Sequence, residues 1–569
     1  MSTLSPKLFT TLKGYTKAQF FKDLTAGTIV AIIALPLSIA LAIASGVSPE
    51  KGIYTAIIAG FIISFLGGSR VQIGGPTGAF MVIVYGIVMQ YGLDGLMIAT
   101  MMAGVIMILF GLLKLGSVIK FIPYPITTGF TSGIAVTIFT SQIKDFMGLT
   151  TDELPADFLG KWAIYLKTFD TTDWMTVLVG VLALIIIIGW RKISKKIPGA
   201  FVALIVTSVL VYALKLPVAT IGTKYGTLSA ALPALHIPEL NMDKVKMLVE
   251  PAFTIAILGS VESLLSAVVS DGMIGGKHRS NMELVAQGTA NIASAAFGGI
   301  PATGAIARTV ANIKNGGRTP VAGMVHAVVL FLIMMLFMPL VKQVPLAALA
   351  AVLIVVAYNM SEWREFIGLF KAPKSDILVM LIVFIITVLV DLVRAIEIGM
   401  VLAVFLFMKR MSEVSNINPV TLDAAEEGDE PFDFVTASKQ VEHPDMVEIY
   451  EINGPFFFGA ADKFVATLSE LGHRTRALII RMRNVPAMDA TALKAFKQIL
   501  KSCKRKGITV YVTGINEQPL AALTKAGITE QMGEHAFFEN VEEAVAFAKA
   551  AYDSAQKRAW GYKRVKPEQ

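Results

Sequence analysis

From Leu24 to Met408, long apolar runs alternate with short polar breaks, and from Ser412 onward the chain reads as short mixed segments of ordinary polarity. A helix needs about 20 mostly apolar residues to cross a bilayer. Apolar runs lie near 24–46, 52–67, 76–90, 95–115, 122–143, 173–190, 199–215, 250–271, 282–298, 302–314, 318–340, 345–358, 375–391 and 394–408. The pattern predicts an α-helical membrane protein with about fourteen transmembrane segments, followed by a soluble domain. The third and tenth segments are too short to cross as full helices.

Composition agrees. The chain is 54% hydrophobic and 16% charged, where soluble chains carry about a quarter charged residues. The net charge of +8 would also suit nucleic acid, but many of the lysines and arginines sit at the N-terminus and in short loops between apolar runs, where membrane topology accounts for them. These basic groups include Lys7, Lys13, Lys17 and Lys22, then Arg191, Lys192, Lys195 and Lys196, then Lys277, His278 and Arg279, then Lys314 and Arg318, and finally Lys409 and Arg410. In a fourteen-segment count all fall on one face. This predicts a multi-pass protein of the cell's inner (plasma) membrane, with both termini cytoplasmic and no nucleic-acid partner. No cleavable signal peptide is expected. The single cysteine, Cys503, excludes an intrachain disulfide and any multi-cysteine metal site. The histidines show no metal-binding spacing, so no metal or other cofactor is expected.

Two short stretches repeat. Gly74-Gly75-Pro76-Thr77-Gly78-Ala79 opens the third segment, and Gly298-Gly299-Ile300-Pro301-Ala302-Thr303-Gly304-Ala305 opens the tenth. Each follows a polar interruption in an apolar helix, Pro36-Leu37-Ser38 in the first half and Glu262-Ser263 in the second. Seven segments per half is an odd number, so the halves form a 7+7 inverted repeat. Paired short, Gly/Pro-interrupted segments mark a transporter's binding site. Their unsatisfied N–H groups carry partial positive charge that suits an anion. Glycines that only permit close helix packing are the alternative.

Charged residues at membrane depth are functional candidates by default. Glu262 lies inside the eighth segment, with Ser266 one turn later on the same face. It fits a group that carries a proton, or one that holds a cation while ionised. Arg308 lies one turn into the tenth segment and offers positive charge beneath the anion site, a partner for Glu262, or a side chain that snorkels to the surface. Asp391, Arg394 and Glu397 are read as an external loop, and His326 as a packing residue.

These motifs resemble the SulP family, the sulfate permeases whose animal branch is solute carrier family 26. The resemblance rests on Gly259-Ser260-Val261-Glu262-Ser263-Leu264-Leu265, Gln287-Gly288-Thr289-Ala290-Asn291, Phe297-Gly298-Gly299-Ile300-Pro301, Arg308-Thr309-Val310-Ala311-Asn312 and Gly316-Gly317-Arg318-Thr319. Gly52-Ile53-Tyr54, Leu66-Gly67-Gly68-Ser69-Arg70 and Gly75-Pro76-Thr77 match as well. The resemblance implies core and gate domains, a homodimer, and elevator-like alternating access. It implies a substrate site at Thr77, Gly78, Ala79, Gly304, Ala305, Arg308 and Ser38, with Glu262 and Ser266 serving the coupling ion. The chain departs from the family in having Leu37 and Ser38 after Pro36, where glutamine is common. Sodium-coupled members carry Asp at the Glu262 position and a hydroxyl at the Ile306 position. Isoleucine offers no ligand oxygen, which favours H+ over Na+ as the coupling ion.

The transmembrane domain is expected over 1–411, with repeats near 20–217 and 248–411. Residues 412–434, including Glu426-Glu427-Gly428-Asp429-Glu430-Pro431, read as a linker. Strands at 446–452, 477–482 and 509–513 alternate with helices at 460–471, 491–504, 519–526 and 541–550, the pattern of a small cytoplasmic α/β domain. It resembles a STAS domain over 435–555, with Gly454-Pro455-Phe456-Phe457-Phe458 typical of transporter-linked forms, and a basic tail follows over 556–569. Ala490 stands where the related antagonists of anti-sigma factors carry a phosphorylatable serine, so Asp489 reads as a helix cap. A cytoplasmic protein partner for this domain is open.

The function these features predict is secondary active transport of small anions of the bicarbonate, sulfate or C4-dicarboxylate class, proton-coupled through Glu262. The alternatives are a sodium-coupled bicarbonate symporter, a passive anion channel or exchanger with STAS signalling, and a nucleobase symporter. No nucleophile–base set or phosphate loop points to an enzyme.

Overall fold

The computed structural model describes residues 4–117, 123–151, 154–155, 157–194, 197–226, 234–236, 238, 242–390, 392–414, 416–419, 446–469 and 475–563. The chain divides into two units, Met1–Ala403 and Val404–Gln569.

In the first unit α1 (Lys7–Thr11) precedes α2 (Lys17–Ala44). Thr16 caps α2 by accepting from Gln19 N at 3.2 Å. Pro36 lies inside α2, where it removes one backbone bond. α3 (Pro49–Leu66) opens on proline, whose missing N–H costs nothing there. β1 (Gly74–Gly75) leads into α4 (Gly78–Leu112). Gly92, at φ 70° and ψ −173°, breaks α4 into a short arm and a returning helix. α5 (Tyr124–Met147), α6 (Phe158–Lys167), α7 (Trp174–Ile193), α8 (Gly199–Leu214), α9 (Ile221–Tyr225) and α10 (Met242–Met247) follow.

The second half repeats the order. α11 (Val249–Ile274) and α12 (Ser280–Ala296) precede β2 (Thr303–Gly304) and the short α13 (Ile306–Lys314). Then come α14 (Val321–Val341), α15 (Leu346–Met360), α16 (Trp363–Gly368), α17 (Lys374–Leu389) and α18 (Leu392–Val414). With α4 counted twice, α2 to α5, α7 and α8 supply the seven segments of one half. The second seven are α11 to α15, α17 and α18. Leu109, Val209, Leu336 and Phe405 on these helices are about half exposed or more, as a lipid-facing surface requires.

The helices sort into two groups. α2, α3, α4, α11, α12, α13 and α14 pack on one another and form the core; α5, α7, α8, α15 and α17 form the gate. The groups meet where α2 touches α15 and α8, and where α4 touches α5. Backbones approach closely inside the core. A Cβ on Gly104 would lie 2.6 Å from Gly288 O, and one on Gly288 2.4 Å from Gly104 O. Without a hydrophobic driving force between helices in lipid, such contact is what binds α4 to α12.

The second unit is a five-stranded sheet in the order β3-β4-β5-β6-β7. Its strands are β3 (Asn416–Pro419), β4 (Val447–Asn453), β5 (Ala477–Arg481), β6 (Thr509–Thr513) and β7 (Phe537–Phe538). β3 is antiparallel to β4 and the remaining pairs are parallel. α19 (Phe458–Ser469), α20 (Ala490–Lys506), α21 (Glu517–Lys525) and α22 (Ile528–Met532) follow in chain order. Residues from all four helices join one apolar core with Leu478, Ile480 and Val512. α23 (Val541–Lys563) packs on Ile449, Ile479 and Tyr511 of the opposite face. Asp489 caps two helices at once: Oδ1 accepts from Ala492 N at 2.8 Å and Oδ2 from Phe458 N at 3.2 Å.

Three expectations need correction. The segment 412–434 is not linker from its start: α18 runs to Val414, and Asn416–Pro419 adds an edge strand, a place where proline is tolerated. The rest of that segment, from 420, lies outside the described residues. The helix expected to end at 550 continues to Lys563; 551–563 holds no proline and a single glycine, Gly561, with Ala, Gln, Lys and Arg supplying good helix formers. The tail is therefore helical over its first part, with 564–569 outside the described residues. Arg394 and Glu397 stand in the first turns of α18 rather than in a loop; Asp391 lies outside the described residues.

Candidate functional site

The two repeated Gly-rich stretches meet. β1 and β2 pair antiparallel, with Gly74 opposite Gly304 and Gly75 opposite Thr303. Ala305 N donates to Ile73 O at 2.8 Å. The short arm of α4 and α13 therefore both start from one four-residue strand pair. Thr77 and Ala305 are their N-caps, and neither makes a side-chain cap hydrogen bond. The first N–H groups of both helices keep their partial positive charge.

Arg308 projects from the first turn of α13 and is only 2% exposed, so it does not snorkel. Its Nη2 donates to Pro76 O at 3.0 Å and to Ser38 Oγ at 3.3 Å, while Nη1 has no hydrogen-bond partner among the described residues. A Cβ on Gly75 would lie 2.3 Å from Nη1. Glycine is thus required there for the cation to sit behind the strand pair. Glu262, half-buried on α11, accepts from Thr77 Oγ1 at 2.9 Å. It makes no ion pair with Arg308 among the described residues. The carboxylate and the cation thus flank the helix N-termini without direct contact.

The structure brings Thr77, Glu262, Gly304, Ala305, Arg308 and Ser38 around this pair. Gly78 and Ala79 are buried at the start of α4. A Cβ on Gly78 would meet Ile138 Cδ1 at 2.9 Å and Met360 Sδ at 3.1 Å, so the gate presses on the site here. Ser266 is buried, and its hydroxyl lies 3.4 Å from Thr309 Oγ1 rather than on Glu262. His326 is fully buried in α14, with its Cδ2 3.9 Å from where a Cβ on Gly60 would stand.

A supporting layer escaped the sequence reading. Ser263 Oγ lies 2.6 Å from Thr303 Oγ1 and accepts from Gly304 N at 3.2 Å. Thr303 Oγ1 donates to Gly259 O at 3.0 Å. Gln72 Nε2 donates to Ser263 O at 3.3 Å and fills the space a side chain at Gly304 would need. Asn291 donates to Ala302 O and accepts from Ala302 N, both at 2.8 Å. The available signal was Gln72 itself, a polar residue between Val71 and Ile73 just before the glycines. Among the described residues no group of three His, Cys, Asp or Glu side chains could hold a metal. The arrangement can receive a small anion on backbone N–H groups and a cation, beside a carboxylate able to exchange a proton.

Comparison with known proteins identifies the family. The sulfate permease family model matches residues 20–383, and the STAS domain model matches 438–544. A putative sulfate transporter of Bacillus subtilis (strain 168), YvdB, is 43% identical over 93% of this chain and 98% of its own length. The bicarbonate transporter BicA of Picosynechococcus sp. (strain ATCC 27264 / PCC 7002 / PR-6) is 30% identical over 92% of this chain and 94% of its length. The murine anion transporter Slc26a9, solved in an inward-facing state, superposes with a TM-score of 0.86 at 19% identity, covering 96% of this chain and 94% of that one, a likeness of fold alone. With the paired half-helices at its centre and these relatives along nearly its whole length, the chain belongs to the sulfate permease family and carries a STAS domain after its membrane part.

Proposed function

We propose that this chain is a secondary active transporter of small anions of the bicarbonate, sulfate or C4-dicarboxylate class, coupled to protons through Glu262. The observation that carries the reading is Arg308, a buried cation with an unpartnered Nη1 set behind two helix N-termini. A buried polar group without a partner needs a reason, and an anion at the helix N-termini supplies one. The relatives' names, a putative sulfate transporter and a bicarbonate transporter, support the substrate class.

Coupling by proton rather than sodium rests on the ligand set. Ile306 points no oxygen at the site, Ser266 is directed to Thr309, and Thr77 donates its hydroxyl to Glu262. A hard cation wants several oxygens, whereas one carboxylate with a hydroxyl donor is enough to take up and release a proton. The core would carry the site past the gate in an elevator-like step, in a homodimer with both termini cytoplasmic.

Uptake into liposomes by purified protein tests this. The panel is labelled bicarbonate, sulfate, fumarate, succinate and uracil under imposed proton or sodium gradients, with Glu262→Gln as comparison. Proton-driven anion uptake that loses its coupling in the variant is the expected result. Sodium-driven bicarbonate uptake would replace the proton with sodium. Uracil uptake, or flux indifferent to both gradients and to the variant, would overturn coupled anion transport.

A further inference from the structure

Three segments converge at the face of the first unit that bears the N-terminus. Lys7 N donates to Gly67 O at 2.9 Å, tying α1 to the turn after α3. Arg279 N donates to Gly68 O at 2.9 Å, and its Nη1 donates to Ser5 O and Ser5 Oγ at 2.8 and 2.7 Å. Buried Glu283 fixes the same turn by accepting from Gly68 N and Ser69 N at 2.8 and 2.9 Å. Lys7, Arg70 and Arg279 are thereby gathered together. Among the described residues none has a carboxylate within ion-pair distance. Asp271, an acid that acts on Lys7 electrostatically, is held by His278 Nδ1 at 2.7 Å. Burial, with the neighbouring Arg279 and Arg70 charges, holds the Lys7 ammonium below its ordinary value. Like charges packed this way mark a place for an anion.

An apolar track leads away from these cations. Phe9 of α1 meets Phe65 edge-on at 6.5 Å, and Phe65 stacks on Phe61 at 6.1 Å. All three rings are exposed. Phe61 opens a furrow of about 380 Å³ between α3 and α14, lined with Ile57, Phe297, Val328 and Phe331. From Ile57 to Gly67 the chain rises about 15 Å, which is about half the hydrocarbon thickness of a bilayer. Cations at one end and one leaflet's depth of hydrocarbon surface at the other match the two parts of a lipid.

We propose that Lys7, Arg70 and Arg279 hold the phosphate of an anionic phospholipid in the leaflet on the N-terminal side, with one acyl chain lying along Phe65 and Phe61 in the α3–α14 furrow. The furrow lies between two core helices, and α1 is tied to the core through Gly67 after α3, so this lipid would travel with the core.

The test uses the full chain in detergent, titrated with phosphatidylglycerol, phosphatidylcholine or inorganic phosphate and read by native mass spectrometry and thermal unfolding. Wild type is expected to bind phosphatidylglycerol in preference to phosphatidylcholine. A cation near a membrane surface is worth about fivefold, so Lys7→Gln with Arg70→Gln together should weaken phosphatidylglycerol about thirtyfold and leave phosphatidylcholine unchanged. Val328→Trp, which fills the furrow, should weaken long-chain but not short-chain phosphatidylglycerol. If the double variant fails to fold, exposed Arg70→Gln alone should show the fivefold loss. Equal binding of the two lipids, or unchanged phosphatidylglycerol binding in the variants, would overturn the proposal. A wild-type shift with inorganic phosphate alone would assign the cations to a soluble anion instead.

Discussion

Arg308→Met separates a residue that holds the fold from one that holds the anion. The change removes the bonds to Pro76 O and Ser38 Oγ, which from a charged donor contribute about 1.5–3 kcal/mol each. It also removes a buried cation whose Nη1 has no partner among the described residues, and the desolvation cost of such a cation is several kcal/mol. The two effects nearly offset each other, because methionine fills a similar volume without charge. Stability should therefore stay close to wild type. The anion fares differently. A unit charge roughly 6 Å away at an effective dielectric constant near 20 is worth about 3 kcal/mol, more than a hundredfold in affinity. The assay is substrate-dependent thermal stabilisation and KM for uptake in liposomes, with unfolding without substrate as the reference. Arg308→Lys should recover part of the affinity, since it keeps the charge but not the planar fork. A variant that unfolds far below wild type would show that Arg308 is structural. One that transports with an unchanged KM would show that the cation does not act on the substrate.

Other outcomes follow from single contacts. Thr77→Val keeps the shape and deletes the donor to Glu262 Oε2; gradient-driven uptake should slow at least about tenfold, and an unchanged rate would detach Thr77 from the coupling group. Glu283→Gln places an amide where Oε1 and Oε2 accept from Gln287 Nε2, Gly68 N and Ser69 N. It should destabilise the membrane unit by about 1–3 kcal/mol, seen as a lower unfolding temperature. Burial pushes the Cys503 thiol up to about 11, with Lys506 acting the other way. At pH 8 alkylation should wait for opening of the STAS domain, and rapid labelling of the native protein would refute this. The unfolded thiol ionises first, so the thiol's share of stability is full below pH 9 and is lost as pH rises through about 11.

Much of this architecture is legible in the sequence because lipid restricts what can span it. Apolar run lengths locate most segments within a few residues, though α2 starts seven residues before the expected 24 and α18 ends six after the expected 408, and β6 falls at the expected 509–513. The meeting of the two Gly-rich stretches is legible as a repeat, since Gly and Pro in matched places have few other uses at that depth. The direction of Arg308 is not legible. Whether it snorkels or turns inward depends on Gly75, more than two hundred residues away, leaving room for the guanidinium. Ser266 shares a helix face with Glu262 in sequence spacing, yet Thr309 lies nearer its hydroxyl. The short helices α6, α9 and α10 sit in loops of mixed polarity, where periodicity carries little signal. β3 was obscured because its four residues, two of them asparagine and one proline, have weak strand propensity and form a strand only by pairing with β4.

Three of the four residues in the β1–β2 pair are glycine. A surface written almost wholly in main-chain atoms offers evolution little to substitute. Drift towards a new substrate would have to tilt the pair rather than rewrite it, through neighbours such as Gln72, Ser263 and Arg308 that brace it from behind. Relatives that differ in cargo would then keep the glycines and vary the braces, and a designer seeking altered selectivity should start with those three side chains.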